Sequence, residues 1–238
     1  GQTWDLRTNG LPAGHYWYSL DFINSRTGWA CGSYRVARTT DGGLNWTDVF
    51  TVSNTARAIQ FTDADNGWVA GYTFLLHTTN GGAAWEYVMA PTNGMQWRDV
   101  AFLDRTNGWV CGQKDFIIKT TDGGASWQIV TGTPMPSNQY LYGMTWTDAT
   151  NGWVVGSGAD TNNLFFTHDG GVTWYGCTSG VPTSLLDIKF TSPQVGYACG
   201  SSGYLVKTTN GLSANPVWTD ILPARDFYIA RIRWTVNP

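Results

Sequence analysis

Short apolar runs recur along this chain at a nearly fixed beat. Leu20/Phe22, Ile59/Phe61, Val100/Phe102, Met144/Trp146, Ile188/Phe190 and Ile232/Trp234 each place two apolar residues at a spacing of two. That period predicts strands whose paired side chains share one sheet face. The aromatic members stand 39, 41, 44, 44 and 44 residues apart. A repeat of this length marks a solenoid, a propeller or an array. After each aromatic comes a polar turn and then a Gly-Trp step, at Trp29, Trp68, Trp109 and Trp153, with Gly196-Tyr197 in fifth place. A further apolar run follows, such as Phe116 to Lys119, then a Gly-rich turn and a last strand that opens with Trp. Each unit therefore reads as four short strands, a, b, c and d in chain order. No stretch carries a convincing helical period.

Four short strands per repeat, joined by tight turns, are what a propeller blade needs, and radial stacking leaves only short edges. The expected fold is all-β: one β-propeller of four-stranded antiparallel blades over residues 1–238. Five full blades are expected at 14–50, 54–89, 95–131, 139–178 and 183–222. A partial sixth is expected from the termini, 1–10 and 226–238, with residues 3–7 and 227–235 extended and close together.

Composition agrees with this reading. The chain has 29 glycines and 14 tryptophans, with 13% charged and 42% hydrophobic residues. Many glycines suit many tight turns. The net charge of −3 and the scattered basic residues argue against nucleic acid as a partner. No apolar run is long enough to span a membrane. Low Lys and Glu content, abundant Thr, Asn, Gly and Trp, and a start at Gly1 without Met suit an exported chain, whether secreted, cell-surface or periplasmic. Cys31, Cys111 and Cys199 share one strand-b position, where Ala70 and Val155 stand in other repeats, so they are expected to be buried thiols. No cysteine or histidine spacing suggests a metal, and no cofactor is expected.

The Gly-rich turn reads Thr39-Thr40-Asp41-Gly42-Gly43-Leu44-Asn45-Trp46 and returns at Thr78 to Trp85, Thr120 to Trp127 and Thr167 to Trp174. A fifth copy runs from Thr208 to Trp218 with a small insertion. It resembles the Asp-box, or bacterial neuraminidase repeat, with Asp41, Asp122 and Asp169 in place and Asn80 and Asn210 as softened copies. A short carboxylate or amide can bond the turn's own backbone, so these residues are expected to lock c–d hairpins rather than do chemistry. The wider pattern, Asn-Gly-Trp-Val-x-Gly followed by Ile-Ile-Lys-Thr-Thr-Asp-Gly-Gly-x-Ser-Trp, resembles the propeller family of the photosystem II assembly and stability factor and its bacterial relatives. That resemblance implies a non-catalytic, exported scaffold that binds a protein partner, with a multi-subunit complex among the candidates.

An enzyme reading finds little support in the residues. Glu86 is the single glutamate and directly follows a strand-d Trp. Hydrolysis by paired carboxylates needs two acids across a cleft. Asp99 and Asp187 share one strand-a register, but propeller aspartates near the axis commonly bond neighbouring backbone. His77 aligns with Arg38, Lys119 and Lys207 and is expected to face solvent.

Departures from the repeat are the better functional signal. Four residues before the strand-a aromatic stand Tyr18, Arg57, Arg98, Tyr142, Leu186 and Ala230; one position earlier stand Trp17, Ala56, Trp97, Leu141, Leu185 and Ile229. Strand a begins at one mouth of a propeller channel. Trp17, Tyr18, Arg57, Trp97, Arg98 and Tyr142 are therefore the expected partner-binding residues, of the types enriched at binding hot spots. The competing reading is a lectin-like propeller that stacks these rings on sugars, and a less favoured one is a glycoside hydrolase.

Overall fold

The computed structural model describes residues 5–92, 94–130, 139–157, 163–222 and 229–232. Among them there is no α-helix, and none is therefore long and apolar enough to cross a membrane. The architecture is all-β, a propeller of four-stranded antiparallel blades. The chain divides into two compact units, 1–105 and 106–238.

The first unit contains β1 (Trp17–Phe22), β2 (Gly28–Thr39), β3 (Thr47–Phe61), β4 (Gly67–Gly71), β5 (Phe74–Thr78), β6 (Glu86–Tyr87) and β7 (Trp97–Phe102). Strands β1 to β6 pair in sequence order. Two of them each serve as two repeat strands. Strand β2 turns at Tyr34, with φ of 63°, and carries b then c. Strand β3 pairs with β2 through Thr47 to Thr51 and with β4 through Ala56 to Phe61, so d of the first blade runs directly into a of the second.

The second unit contains β8 (Gly108–Gly112), β9 (Ile117–Thr120), β10 (Gln128–Ile129), β11 (Leu141–Trp146), β12 (Gly152–Gly156), β13 (Leu164–Thr167), β14 (Tyr175–Cys177), β15 (Leu185–Phe190), β16 (Gly196–Gly200), β17 (Leu205–Thr208) and β18 (Thr219–Asp220). Strands β11 to β14 and β15 to β18 form two complete blades in chain order. The expected terminal strands fall partly outside the described residues. Residues 5–8 and 229–232 carry no regular strand, although Ile232 N–H donates to the buried Asp187 carboxylate at 2.8 Å.

Three sequence markers meet in one packing motif. In the first unit Trp29 lies flat on Phe61, with ring centroids 3.5 Å apart, and Phe61 meets Trp85 edge-on at 5.9 Å. In the second, Trp109 stacks on Trp146 at 3.8 Å, and Trp146 meets Trp174 edge-on at 5.8 Å. Trp153, Phe190 and Trp218 repeat the arrangement. The strand-b Trp thus packs on the next strand-a aromatic, which packs on its own turn Trp. Each such pair adds about 0.5–1.5 kcal/mol beyond area burial.

The glycine before the strand-b Trp has a steric cause. A Cβ on Gly67 would lie 2.5 Å from the Phe61 ring, and one on Gly152 would lie 2.5 Å from Trp146. Cys31, Cys111 and Cys199 are buried, as their alignment with Ala70 and Val155 predicts. His77 departs from expectation. It lies flat on Trp68 at 4.0 Å instead of facing solvent, and burial lowers its pKa against the pull of Glu86. The aligned cations do the same: Arg38 covers Trp29 and Lys119 covers Trp109. The strand-b ring attracts whatever cation or flat ring stands opposite it on strand c.

Candidate functional site

The repeated Gly-rich turns are occupied with their own backbone. Asp41 Oδ1 accepts from Thr39 Oγ1 and from Asn45 N–H, both at 2.9 Å, while Gly43 N–H donates to Thr39 Oγ1. Asp122 repeats this with Thr120, with Ser126 N–H at 2.9 Å, and with Ser126 Oγ at 2.6 Å. The Ser126 bonds and the Thr120 hydroxyl hold the Asp122 pKa down at about 2. Asn80 uses Oδ1 in the same way, accepting from Thr78 Oγ1 and Ala84 N–H. These side chains close turns.

The strand-a starts are built differently. In β1, Trp17 faces Gly32 and Ser19 faces Cys31, so Tyr18 is an extra residue with no opposite number. Arg57 is extra in the same way in β3, Tyr142 in β11 and Leu186 in β15. Each is a β-bulge, which re-aims a side chain away from the regular alternation. The glycine that ends strand b makes room for it. A Cβ on Gly32 would sit 2.0 Å from Tyr16 O, on Gly71 2.6 Å from Thr55 O, on Gly156 2.3 Å from Tyr140 O, and on Gly200 2.2 Å from Ser184 O. Each of those carbonyls also accepts the N–H of the residue after the glycine: Ser33, Tyr72, Ser157 and Ser201. The bulge is thus clamped by one backbone bond and one missing side chain.

In the first unit the bulge brings three expected residues together. The Arg57 guanidinium lies 4.3 Å from the Tyr18 ring centroid and 4.9 Å from that of Tyr72. Its Nη2 donates to Tyr72 Oη at 2.6 Å. Arg98 lies 4.9 Å from the Tyr72 ring and donates to Gln96 Oε1 at 3.3 Å. The result is a column of alternating rings and cations, Tyr18, Arg57, Tyr72, Arg98, with every member half-buried. Arg57 thus packs against two rings and gives one N–H to the Tyr72 hydroxyl, which orders a long side chain that would otherwise be loose.

The two expected tryptophans sit elsewhere. Trp97 is buried, at 2% exposure, and Trp17 packs against the Ala30, Ala37 and Trp46 cluster. Trp97 thus belongs to the core, while Trp17 remains half-buried. Tyr142 lies in the second unit, stacked on Tyr140 at 6.2 Å. Tyr72 was not among the expected residues. Its signal was available as a one-blade departure at the b–c turn, where Ser33, Gln113, Ser157 and Ser201 stand in the other repeats. Asp187, considered as an acid, is fully buried and accepts backbone N–H from Ile188 and Ile232. Glu86 is exposed on β6, opposite His77.

The comparison with protein families settles the kinship of this chain. The model of the photosynthesis system II assembly factor YCF48 family matches residues 2–93 and 131–209, well over half of the sequence. This chain belongs to that family. No match was found among curated proteins. Among solved structures, YCF48 from Cyanidioschyzon merolae is 18% identical, with a TM-score of 0.67 over 88% of this chain and 73% of that one. YCF48 bound to D1 peptide is 19% identical, with a TM-score of 0.51 over 91% and 85%. A catalytically inactive virginiamycin B lyase from Staphylococcus aureus is 15% identical, with a TM-score of 0.70 over 94% and 73%. At these identities the solved structures speak to the fold, which family members share with enzymes.

Proposed function

We propose that this member of the family is a non-catalytic, exported assembly factor that binds a protein partner through the strand-a starts. The observation that carries the proposal is the column of Tyr18, Arg57, Tyr72 and Arg98. Tyr and Arg dominate binding hot spots because they bring large area, a cation and little loose flexibility. Stacking pre-orders these long side chains and so lowers the entropy cost of binding. Tyr142 and its neighbour Tyr140 offer aromatic surface in the second unit. A YCF48 relative bound to D1 peptide gives a precedent for a polypeptide ligand on this fold. Asp187 is spent on backbone N–H groups and Glu86 stands exposed on an edge strand, which favours binding over paired-carboxylate hydrolysis.

The test is a quantitative pull-down from the source organism with wild type and an Arg57→Ala/Arg98→Ala double variant of equal melting temperature. The proposal expects a defined set of proteins that the variant recovers at a fraction of the wild-type yield. Equal recovery by both would place the binding face elsewhere. A glycan reading draws on the exposed rings of Tyr16 and Tyr140, at 73% and 39% exposure. Binding on a glycan array, abolished by Tyr16→Ala, would favour it.

A further inference from the structure

The segment ahead of β1 is seated on the first Gly-rich turn. Trp46 N–H donates to Asn9 O at 2.9 Å, and Asn9 Nδ2 donates to Asn45 Oδ1. Asn45 in turn donates its own Nδ2 to Asp41 Oδ2 at 2.8 Å. Ser126 and Thr173 donate to Asp122 and Asp169 from the matching place, each through a single hydroxyl oxygen. An amide there has a donor for the turn and a separate acceptor for Asn9. Gly10 closes the contact. A Cβ on it would lie 2.0 Å from Trp46 O, and its φ is +82°. Leu11 follows and packs on the cluster of Ala30, Ala37 and Trp46. The seat therefore demands an amide at position 9 and a glycine at position 10. In that dipeptide a backbone nitrogen meets least hindrance in attacking the preceding side-chain amide, because glycine has no Cβ and wide freedom of φ and ψ. We infer that Asn9-Gly10 is a site of spontaneous deamidation that, once converted, releases the segment from the first turn.

The bonding of the other Asn-Gly pairs singles this one out. Gly10 N attacks Asn9 Cγ, the Cγ–Nδ2 bond breaks, and the Gly10 proton leaves with the nitrogen as ammonia. A cyclic imide remains, and water opens it at either carbonyl to give aspartate or isoaspartate. The step needs a glycine N–H that is not held elsewhere. Gly81 N–H is held by Asp65 O and Gly211 N–H by Gln194 O, both at 2.9 Å. Asn66 is fixed on Asp63 through its N–H and Nδ2, and Asn151 on Asp148 and His168. Asn9 and Gly10 are exposed, and Gly10 N–H has no partner among the described residues. The Asn9 side chain has one bond, to another exposed side chain. The product cannot keep the seat. A carboxylate at position 9 has no hydrogen for Asn45 Oδ1 and brings negative charge towards Asp41. Isoaspartate also adds a methylene to the backbone and shifts the carbonyl that holds Trp46 N–H. Release uncovers the Ala30, Ala37 and Trp46 cluster beneath Leu11.

Ageing the folded full chain at mildly alkaline pH, then mapping peptides and labelling them with isoaspartyl methyltransferase, tests the site. Asn9 is expected to convert while Asn66, Asn80, Asn151 and Asn210 stay intact. In urea the same asparagines are expected to convert alongside Asn9. Hydrogen exchange tests the release. In aged wild type and in Asn9→Asp, the Trp46 amide is expected to exchange about fivefold faster than in fresh wild type, the factor that one lost hydrogen bond is worth. Asn9→Gln keeps the amide and enlarges the ring that must close, so its exchange rate is expected to hold through ageing. No conversion at Asn9, conversion of another pair ahead of it, or selectivity that persists in urea would overturn the site. An unchanged Trp46 rate in both aged wild type and Asn9→Asp, or an Asn9→Gln chain that loosens equally on ageing, would overturn the release.

Discussion

Asp122 spends its carboxylate on its own turn. It accepts from the Thr120 hydroxyl and from the N–H and hydroxyl of Ser126, and its pKa of about 2 lies below the ordinary unfolded value of about 3.9. A depressed carboxylate stabilises the fold above the unfolded pKa, and that contribution is lost as pH falls through the folded one. Between about pH 4 and pH 2, wild type should therefore lose more stability than an Asp122→Asn variant, which keeps the acceptor that Asn80 uses in its own turn. Urea unfolding of the two proteins across that window measures it, and parallel curves would remove the carboxylate from the account. Gly67 makes the opposite point by its missing side chain. Its Cβ would press on the Phe61 ring, so Gly67→Ala should cost about 1–3 kcal/mol by equilibrium unfolding. An unchanged midpoint would mean that the ring moves aside freely.

At the scale of strands, the period-two apolar pairs, the Gly-Trp step and the turn Trp were enough to read four strands per repeat. Those residues carry the packing motif of Trp29, Phe61 and Trp85, and packing is what periodicity reports. The bulge was not legible. An extra residue in strand a looks, in one sequence, like an ordinary alternating position, and its signature is the glycine across the ladder. Nor does the sequence separate Trp97, which is buried, from Trp17, which is half-buried, and Tyr72 gives no periodic signal because it stands at a b–c turn. Gly71→Ala tests the element directly. It should weaken polypeptide binding more than Tyr72→Phe does, since the phenol change removes one bond while the glycine change displaces the Arg57 bulge. Binding by titration, with melting as the control, decides between them. Equal losses would deny the glycine its positioning role.

At the scale of the whole molecule, the family and the fold agree, and the fold alone does not choose between binding and catalysis. The virginiamycin B lyase is as close in backbone as the YCF48 structures. The choice rests on which side chains the blades display, and the first unit displays tyrosine and arginine in a fixed stack. Binding carried by two cations should weaken as salt is raised, whereas stacking of sugars on tyrosine should be nearly indifferent to it.

The most direct measurement is photo-crosslinking in cells of the source organism. A photoreactive residue is placed at Tyr16, exposed beside Tyr18, in one protein and at Tyr87, exposed on the edge strand of the second blade, in another. The account predicts discrete protein adducts from position 16 and none shared with position 87. Adducts from position 87 alone, or the same adducts from both, would contradict it.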